Sequence, residues 1–345
     1  MTLPETDLNH PAPAPLWLPA LVTGFGTAVA MWTVWWITHL PTGQDFAPPW
    51  NVSLPLLALV LVGGVVLGSR HAAKPILSGT IAGLVTAALA LIVLGAVLSD
   101  TEGETASAEA ARSFRDDAPV IVLGFLAASA VAGALGGLMG LALRARGHST
   151  ESRWVGRMAI VAACSFLPLI AIGGAVTSTA SGMAVTEPVV SFVMPLKLMA
   201  EPRVFIEHTH RLVGSLVGLT AIALLVTTLL TTTRPSGRVI AGVLLALVAT
   251  QGTLGIFRVG ENSSVLAMFH GMFAQLVFAT GVAAAAWLSP RFADPEPSRP
   301  AACDRAAQKA YPLAVAALAL YAFQLATGAA SRHFGAQHAT LTHVG

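Results

Sequence analysis

The chain has 345 residues, a formal net charge of +2 and a charged fraction of only 10%. Hydrophobic residues make up 55% of it and the mean hydropathy is +0.73, whereas soluble domains carry about 25% charged residues. A net charge this small gives no indication of nucleic-acid binding. The composition excludes an ordinary soluble domain and predicts an integral membrane protein embedded in a lipid bilayer.

Long uncharged segments predict the membrane spans. Nine segments contain no Asp, Glu, Lys or Arg over 18 or more residues, and each can cross about 30 Å of hydrocarbon as a helix. A tenth helix is expected to begin near His338. Barrel strands would be runs of about ten alternating residues, so we predict an all-α, polytopic bundle of nine or ten membrane helices. The nine segments are 16–40, 52–69, 75–99, 118–143, 158–186, 212–233, 239–257, 262–290 and 310–331.

Polar linkers divide the predicted helices into groups. The first four are rich in Ala, Gly, Leu and Val, a composition that lets membrane helices approach closely, and we assign them no chemical role. The chain ends two residues after His343, inside an expected helix, which predicts a truncated final bundle. The predicted units are a cytoplasmic tail (1–15), a four-helix domain (16–147), a linker (148–157), a four-helix bundle (158–290), a linker (291–309) and the start of a second bundle (310–345).

Basic residues predict the orientation. With the N-terminus in the cytoplasm, twelve Lys and Arg residues fall in loops on that side and seven fall on the other. The positive-inside rule favours this arrangement. The sequence EHTHR at 207–211 and the helix start near His270 are then expected at the outer face.

The EHTHR sequence carries the strongest chemical signal. Glu207, His210 and Arg211 are three or four residues apart, so a helix places them on one face. His270 stands at the matching end of another predicted helix. Imidazole is a common ligand of haem iron, and helices with one His each can bind a porphyrin between them. These residues predict a haem site inside a membrane helix bundle.

A simpler interpretation remains open for the same residues. Arg211 could bind lipid headgroups with Glu207 as its ion-pair partner, and a lone buried histidine is more often hydrogen-bonded than metal-ligating. Two histidines at one membrane depth favour the haem site, because buried polar groups in a membrane are costly and usually functional. His208 and Thr209 are expected to point away from this face.

A second pattern indicates an internal duplication. Gln251 precedes Gly255 by four residues and His270 by nineteen, and Gln324 precedes Gly328 and His343 by the same intervals. Such repeats are common in membrane folds. A duplicated bundle would provide two haem sites.

Five motifs in this order resemble the haem A synthase family of bacteria and mitochondria, over roughly 165–345. The leading four helices are additional to that family's core, and TEPVV from Thr186 replaces its usual Pro-Asp-Trp-Pro-like turn. The motifs are GGAVTSTASGMA, IEHTHRLVGS, QGTLGIFRV, FHGMFAQLVF and QLATGAASRHFGAQHATLTH.

The resemblance implies a membrane enzyme of two four-helix bundles. The first would bind haem O and oxidise its C8 methyl group to a formyl, with molecular oxygen and external electrons, and the second would hold haem b. Carried onto this chain, Glu207, His210 and His270 match the substrate site, and His343 matches the first iron ligand of the second bundle. Arg211 follows the ligand as in the family.

Residue chemistry gives these positions expected roles. No side chain oxidises an unactivated methyl group, so the protein's share is placement and electrostatics. Glu207 is the candidate catalytic residue, which takes up or relays protons or stabilises positive charge at the methyl carbon. His210, His270 and His343 are the candidate haem-iron ligands. Arg211 can neutralise a haem propionate.

Two other classes use the same histidines. A b-type electron-transfer cytochrome has no need for Glu207, and a haem carrier binds the porphyrin without oxidising it. The resemblance implies the bacterial cytoplasmic (inner) membrane and delivery of haem O by haem O synthase. It leaves the electron donor open and is compatible with a homo-oligomer.

Overall fold

The computed structural model describes residues 14–39, 49–70, 74–93, 98, 116–143, 150–184, 201–231, 235–293 and 301–334. The predicted all-α membrane fold is confirmed over these ranges, where eight helices are long and apolar enough to cross a membrane. His338, His343 and the expected tenth helix lie outside them. The nine long helices are α1 (Trp17–Thr38), α2 (Pro49–Arg70), α3 (Pro75–Val93), α4 (Ala118–Ala142), α5 (Glu151–Ser178), α6 (Pro202–Leu230), α7 (Pro235–Glu261), α8 (Ser264–Trp287) and α9 (Ala301–Phe334).

The helices extend further than the uncharged segments predicted. Helix α5 begins at Glu151, inside the segment expected as a linker (148–157), and α9 begins at Ala301, inside the second expected linker (291–309). The predicted spans end at charged residues, but helical hydrogen bonding continues past them where their long side chains reach polar surroundings. Trp154, in the second turn of α5, is 2% exposed and belongs to the core. The described part of α2 has a shorter apolar stretch, Leu54–Arg70.

Glycines pack the first helices closely. Helix α4 packs against both α2 and α3, and Gly133 and Gly136 of α4 face backbone atoms of these two helices. A Cβ atom at Gly133 would overlap the carbonyl group of Gly79. Small residues at such contacts let membrane helices associate through van der Waals packing.

The Gly133→Ala variant is therefore expected to lose stability by about 1–3 kcal/mol, the usual range for overpacking a filled interior. Gly124→Ala is the matched control on the same helix, because no atom lies within 4 Å of the position its Cβ would take. Alanine is the better helix former by about 1 kcal/mol, so this control should be neutral or stabilised. Thermal unfolding in detergent measures the difference, and equal melting temperatures would contradict the packing argument.

Helices α5 to α8 form a four-helix bundle. Each helix packs against the next, and α8 packs back against α5. Ser165 of α5 and Thr220 of α6 share a buried hydrogen bond of 3.1 Å between their hydroxyl oxygens. Phe166 of α5 meets Phe278 of α8 edge to face, with the ring centroids 6.2 Å apart. This closed arrangement places α6 and α8 diagonally across the bundle.

Local capping fixes where α6 and α8 begin. The Glu201 carboxylate accepts a hydrogen bond of 2.8 Å from the Val204 backbone N–H. Pro202 is the first residue of α6, where a backbone N–H would have no acceptor within the helix, so proline loses no hydrogen bond there. Ser263 caps α8 in the same way, accepting a hydrogen bond of 3.3 Å from the Leu266 N–H. Such caps satisfy backbone donors that the helix itself leaves unpaired. Both starts lie at the same end of the bundle as the histidines, which we call the histidine end.

Helix α1 joins the two groups of helices, because it packs against α3 and also against α5 and α6. The ring of Trp35 lies 5.6 Å from that of Phe205 on α6 and 4.8 Å from that of His39. Burial lowers the pKa of His39, although its hydrogen bond with the Trp35 carbonyl acts in the opposite direction. The division of the chain near residue 150 stays a prediction.

Candidate functional site

Two histidines face each other across the four-helix bundle. His210 lies on α6 and His270 on α8, and each of these helices packs between α5 and α7. Both side chains lie at the histidine end, near enough for one imidazole to influence the other electrostatically. The structure therefore brings together two of the three predicted iron ligands. The third, His343, lies outside the described residues.

Each histidine packs on a glycine of a neighbouring helix. A Cβ at Gly173 of α5 would lie 3.2 Å from Cε1 of His210, and a Cβ at Gly255 of α7 would lie 3.2 Å from Cε1 of His270. The two contacts are equivalent. The diagonal helices α6 and α8 carry the histidines, and the other diagonal pair, α5 and α7, carries the glycines. The glycines leave the space that the imidazoles fill.

The His210 ring has one buried nitrogen. Its Nδ1 is buried against α5, where the backbone of Leu169 interacts with the ring without a hydrogen bond of regular geometry. The side chain as a whole is only partly buried. Metal-ligating histidines usually direct the nitrogen that does not bind the metal at a backbone carbonyl or carboxylate. The arrangement suits ligation through Nε2.

The amide of Gln251 holds His270. Its Nε2 lies 3.2 Å from each ring nitrogen of His270 and donates to the His270 carbonyl over 3.1 Å. The amide oxygen Oε1 of Gln251 is buried and has no hydrogen-bond partner in the described ranges. Gln251 thus restrains the ring from the side of α7. Sequence reasoning noted Gln251 as part of a repeat without assigning it this contact.

Glu207 and Arg211 form an ion pair beside His210. Arg211 donates to Oε1 of Glu207 from Nη2 over 2.8 Å and from Nε over 3.2 Å. Their side chains are only 3% and 10% exposed, respectively, which differs from the lipid-facing arrangement of the simpler interpretation. Oε2 of Glu207 is buried without a hydrogen-bond partner among the described residues. One carboxylate oxygen is therefore fixed and the other is available.

His208 lies on another side of α6. It follows Phe205, which contacts Trp35 of α1, by three residues and therefore shares that face. His208 and Thr209 are each 1% exposed. Their Nε2 and Oγ1 atoms have no partner within the described part of the chain. Helical spacing places these two residues on the side of α1, and the structure packs His210 against Gly173 of α5.

A cavity of about 330 Å³ lies one helical turn beyond the histidines, at the histidine end. Its lining includes Thr177, Arg258 and Ala267. Thr177 lies four residues after Gly173, Arg258 three residues after Gly255, and Ala267 three residues before His270. Arg332 and His333 of α9 line it as well. Sequence reasoning did not predict this cavity, because α9 reaches it only through tertiary packing.

The donor set fits haem better than a bare metal ion. The described residues contain no cluster of three or more His, Cys, Asp or Glu side chains arranged for a metal. Haem iron takes four ligands from the porphyrin and needs only one or two from the protein. His210 and His270 are two candidate donors of this kind, and each ring lies beside a glycine of a neighbouring helix.

These features define a polytopic helical membrane protein with a histidine pair inside a four-helix bundle. Residues 197–343, a little under half of the chain, match the model of a protein family described as cytochrome oxidase assembly protein. The predicted resemblance to the haem A synthase family is confirmed over this segment. No curated protein and no solved structure matches the chain.

Alanine at Gly173 or Gly255 is expected to displace the neighbouring imidazole and lower haem binding by about tenfold or more, as for other groups that orient metal ligands. Gly174, next to Gly173, and Gly252, three residues before Gly255, are matched controls, because the positions of their Cβ atoms are open. Haem content per purified protein measures the effect. Equal haem content in test and control variants would rule out the packing role of the two glycines.

Proposed function

We propose that this protein is a haem A synthase-like membrane oxidoreductase that acts in cytochrome oxidase assembly. Its reaction would oxidise the C8 methyl group of haem O to a formyl group. Support comes from the family match over 197–343 and from the facing pair His210 and His270. These two histidines would bind the iron of haem O, and Glu207 would act on the reacting group.

The observation that carries the enzymatic interpretation is Oε2 of Glu207, which is buried without a hydrogen-bond partner among the described residues. Leaving a polar atom buried without a partner costs about 1–3 kcal/mol, and more for a charged group. An electron-transfer cytochrome gains nothing from such a carboxylate one turn from its iron ligand. The oxidation does use one, because reduction of molecular oxygen to water by external electrons consumes protons, and Oε2 can take up and relay a proton while Arg211 holds Oε1 in place.

The remaining residues position the reacting groups. Haem iron and molecular oxygen supply the oxidising chemistry, with electrons from an external donor. Gln251 and the two glycines would restrain the imidazole rings that hold the porphyrin. Family resemblance assigns a haem b cofactor to the second bundle with His343 as ligand.

The test uses a host that makes haem O and lacks its own haem A synthase. We expect membranes containing the unmutated chain to yield the formyl product when haem is extracted and separated by chromatography. A known synthase serves as the positive control. Haem O that is bound but unchanged would favour the cytochrome or carrier function instead.

A further inference from the structure

The cavity at the histidine end is strongly cationic. Arg258 of α7, Arg332 of α9 and His333 line it, and none of its described lining residues is acidic. Arg258 is close enough to act electrostatically on both His210 and His270. The cavity therefore holds positive charge directly beyond the proposed iron ligands.

Backbone lies close to both guanidinium groups. Gly182 lies so close to Arg258 that any Cβ there would overlap its guanidinium. Arg332 donates a hydrogen bond to the backbone carbonyl of Thr177 on α5. Neither arginine has a carboxylate partner among the residues that the structure describes. Two guanidiniums without a described acidic partner leave donors for an anionic ligand.

Two turns with unusual backbone geometry shape the same cavity. Ala180 and Asn262 both line it and have positive φ values of 52° and 45°, the only such non-glycine residues in the described ranges. Asn262 also places Ser263 to begin α8, so the N-terminus of this helix lies at the cavity. The positive end of the helix dipole adds to the charge of the arginines.

We propose that this cavity binds the two carboxylate groups of the porphyrin, with Arg258 and Arg332 as their partners. This inference rests on the proposed haem site but not on the oxidation. A porphyrin between His210 and His270 carries both of its propionates on one edge, and the cavity lies one turn from the imidazoles. Arg211, expected from sequence to neutralise a propionate, forms an ion pair with Glu207, and its contact with a propionate stays a prediction. Helix α9 would thereby complete the site of the preceding bundle.

The test compares haem with haem dimethyl ester, in which both carboxylates are masked. Each is titrated into the purified full chain and followed by absorbance. We expect the unmutated chain to bind the free acid at least about tenfold more tightly than the ester, and tenfold corresponds to about 1.4 kcal/mol. Arg258→Gln and Arg332→Gln should each remove most of this preference without weakening binding of the ester. Arg332→Lys, which keeps the charge, should retain part of it.

Arg203→Gln is the control, because Arg203 is an exposed arginine at the same end of the bundle and does not line the cavity. It should leave the preference unchanged. Equal affinity of the unmutated chain for both porphyrins, or an unaltered preference in both glutamine variants, would overturn the carboxylate site and leave the haem site standing. If neither porphyrin binds, both the carboxylate site and the haem site are overturned. Normal preference without formyl formation would reject only the oxidation.

Discussion

Membranes containing the His270→Ala variant are expected to retain far less haem than membranes containing the unmutated chain. Removing a residue that only supports a metal ligand typically costs about 10–100-fold in affinity, and loss of the ligand itself should cost at least as much. His210→Ala should behave in the same way, because its ring occupies the equivalent position on the diagonal helix. Haem per protein and the absorption spectrum of the purified variants measure the loss.

A double variant tests whether the two histidines share one haem. If they do, His210→Ala combined with His270→Ala should lose little more than the worse single variant, because groups that act as a unit are not additive. His208→Ala is the matched control, since it removes an imidazole that is also buried in α6 but lies toward α1. Full haem content in the His270→Ala variant would remove His270 from the site.

Much of the fold was predictable because membrane spans are encoded locally. Twenty apolar residues suffice to indicate a spanning helix, whatever the helix later contacts. The helix starts were less accurate, since charged residues such as Glu151 and Arg153 continue a helix beyond the hydrocarbon. Charge marks the edge of a membrane span better than it marks the end of a helix.

The sequence predicts only those contacts of the site that lie within a single helix. The spacing of Glu207 and Arg211 predicts an ion pair, and the structure forms it. The contacts of His210 with Gly173 and of His270 with Gly255 join different helices, so no local spacing indicates them. Arg258 and Arg332 line the same cavity only because α9 packs against α8 and contacts α5. Residues from distant parts of the sequence complete the site, and sequence periodicity does not report their contacts.

Replacing Glu207 by glutamine is expected to lower formyl formation by about 10²–10⁴-fold, the usual contribution of a positioned acid or base. The amide keeps the size of the side chain and can still contact Arg211, but Oε2 is replaced by a group that no longer accepts a proton at neutral pH. Haem binding should survive, because His210 and His270 are unchanged. Haem extraction and chromatography measure the product, and the absorption spectrum measures the bound haem.

The ion pair complicates this variant, because glutamine leaves the buried guanidinium of Arg211 without its counter-charge. Breaking a buried pair by removing one partner costs about 3–5 kcal/mol, so a loss of activity could reflect a loss of folding. The double variant Glu207→Gln with Arg211→Gln replaces the pair by two neutral amides and removes that cost. If Glu207 handles protons, the double variant should be more stable than the single variant and bind haem equally well, but should still lack formyl formation. Recovery of product in the double variant would instead assign Glu207 the role of neutralising Arg211, and undiminished product in the single variant would exclude it from the chemistry.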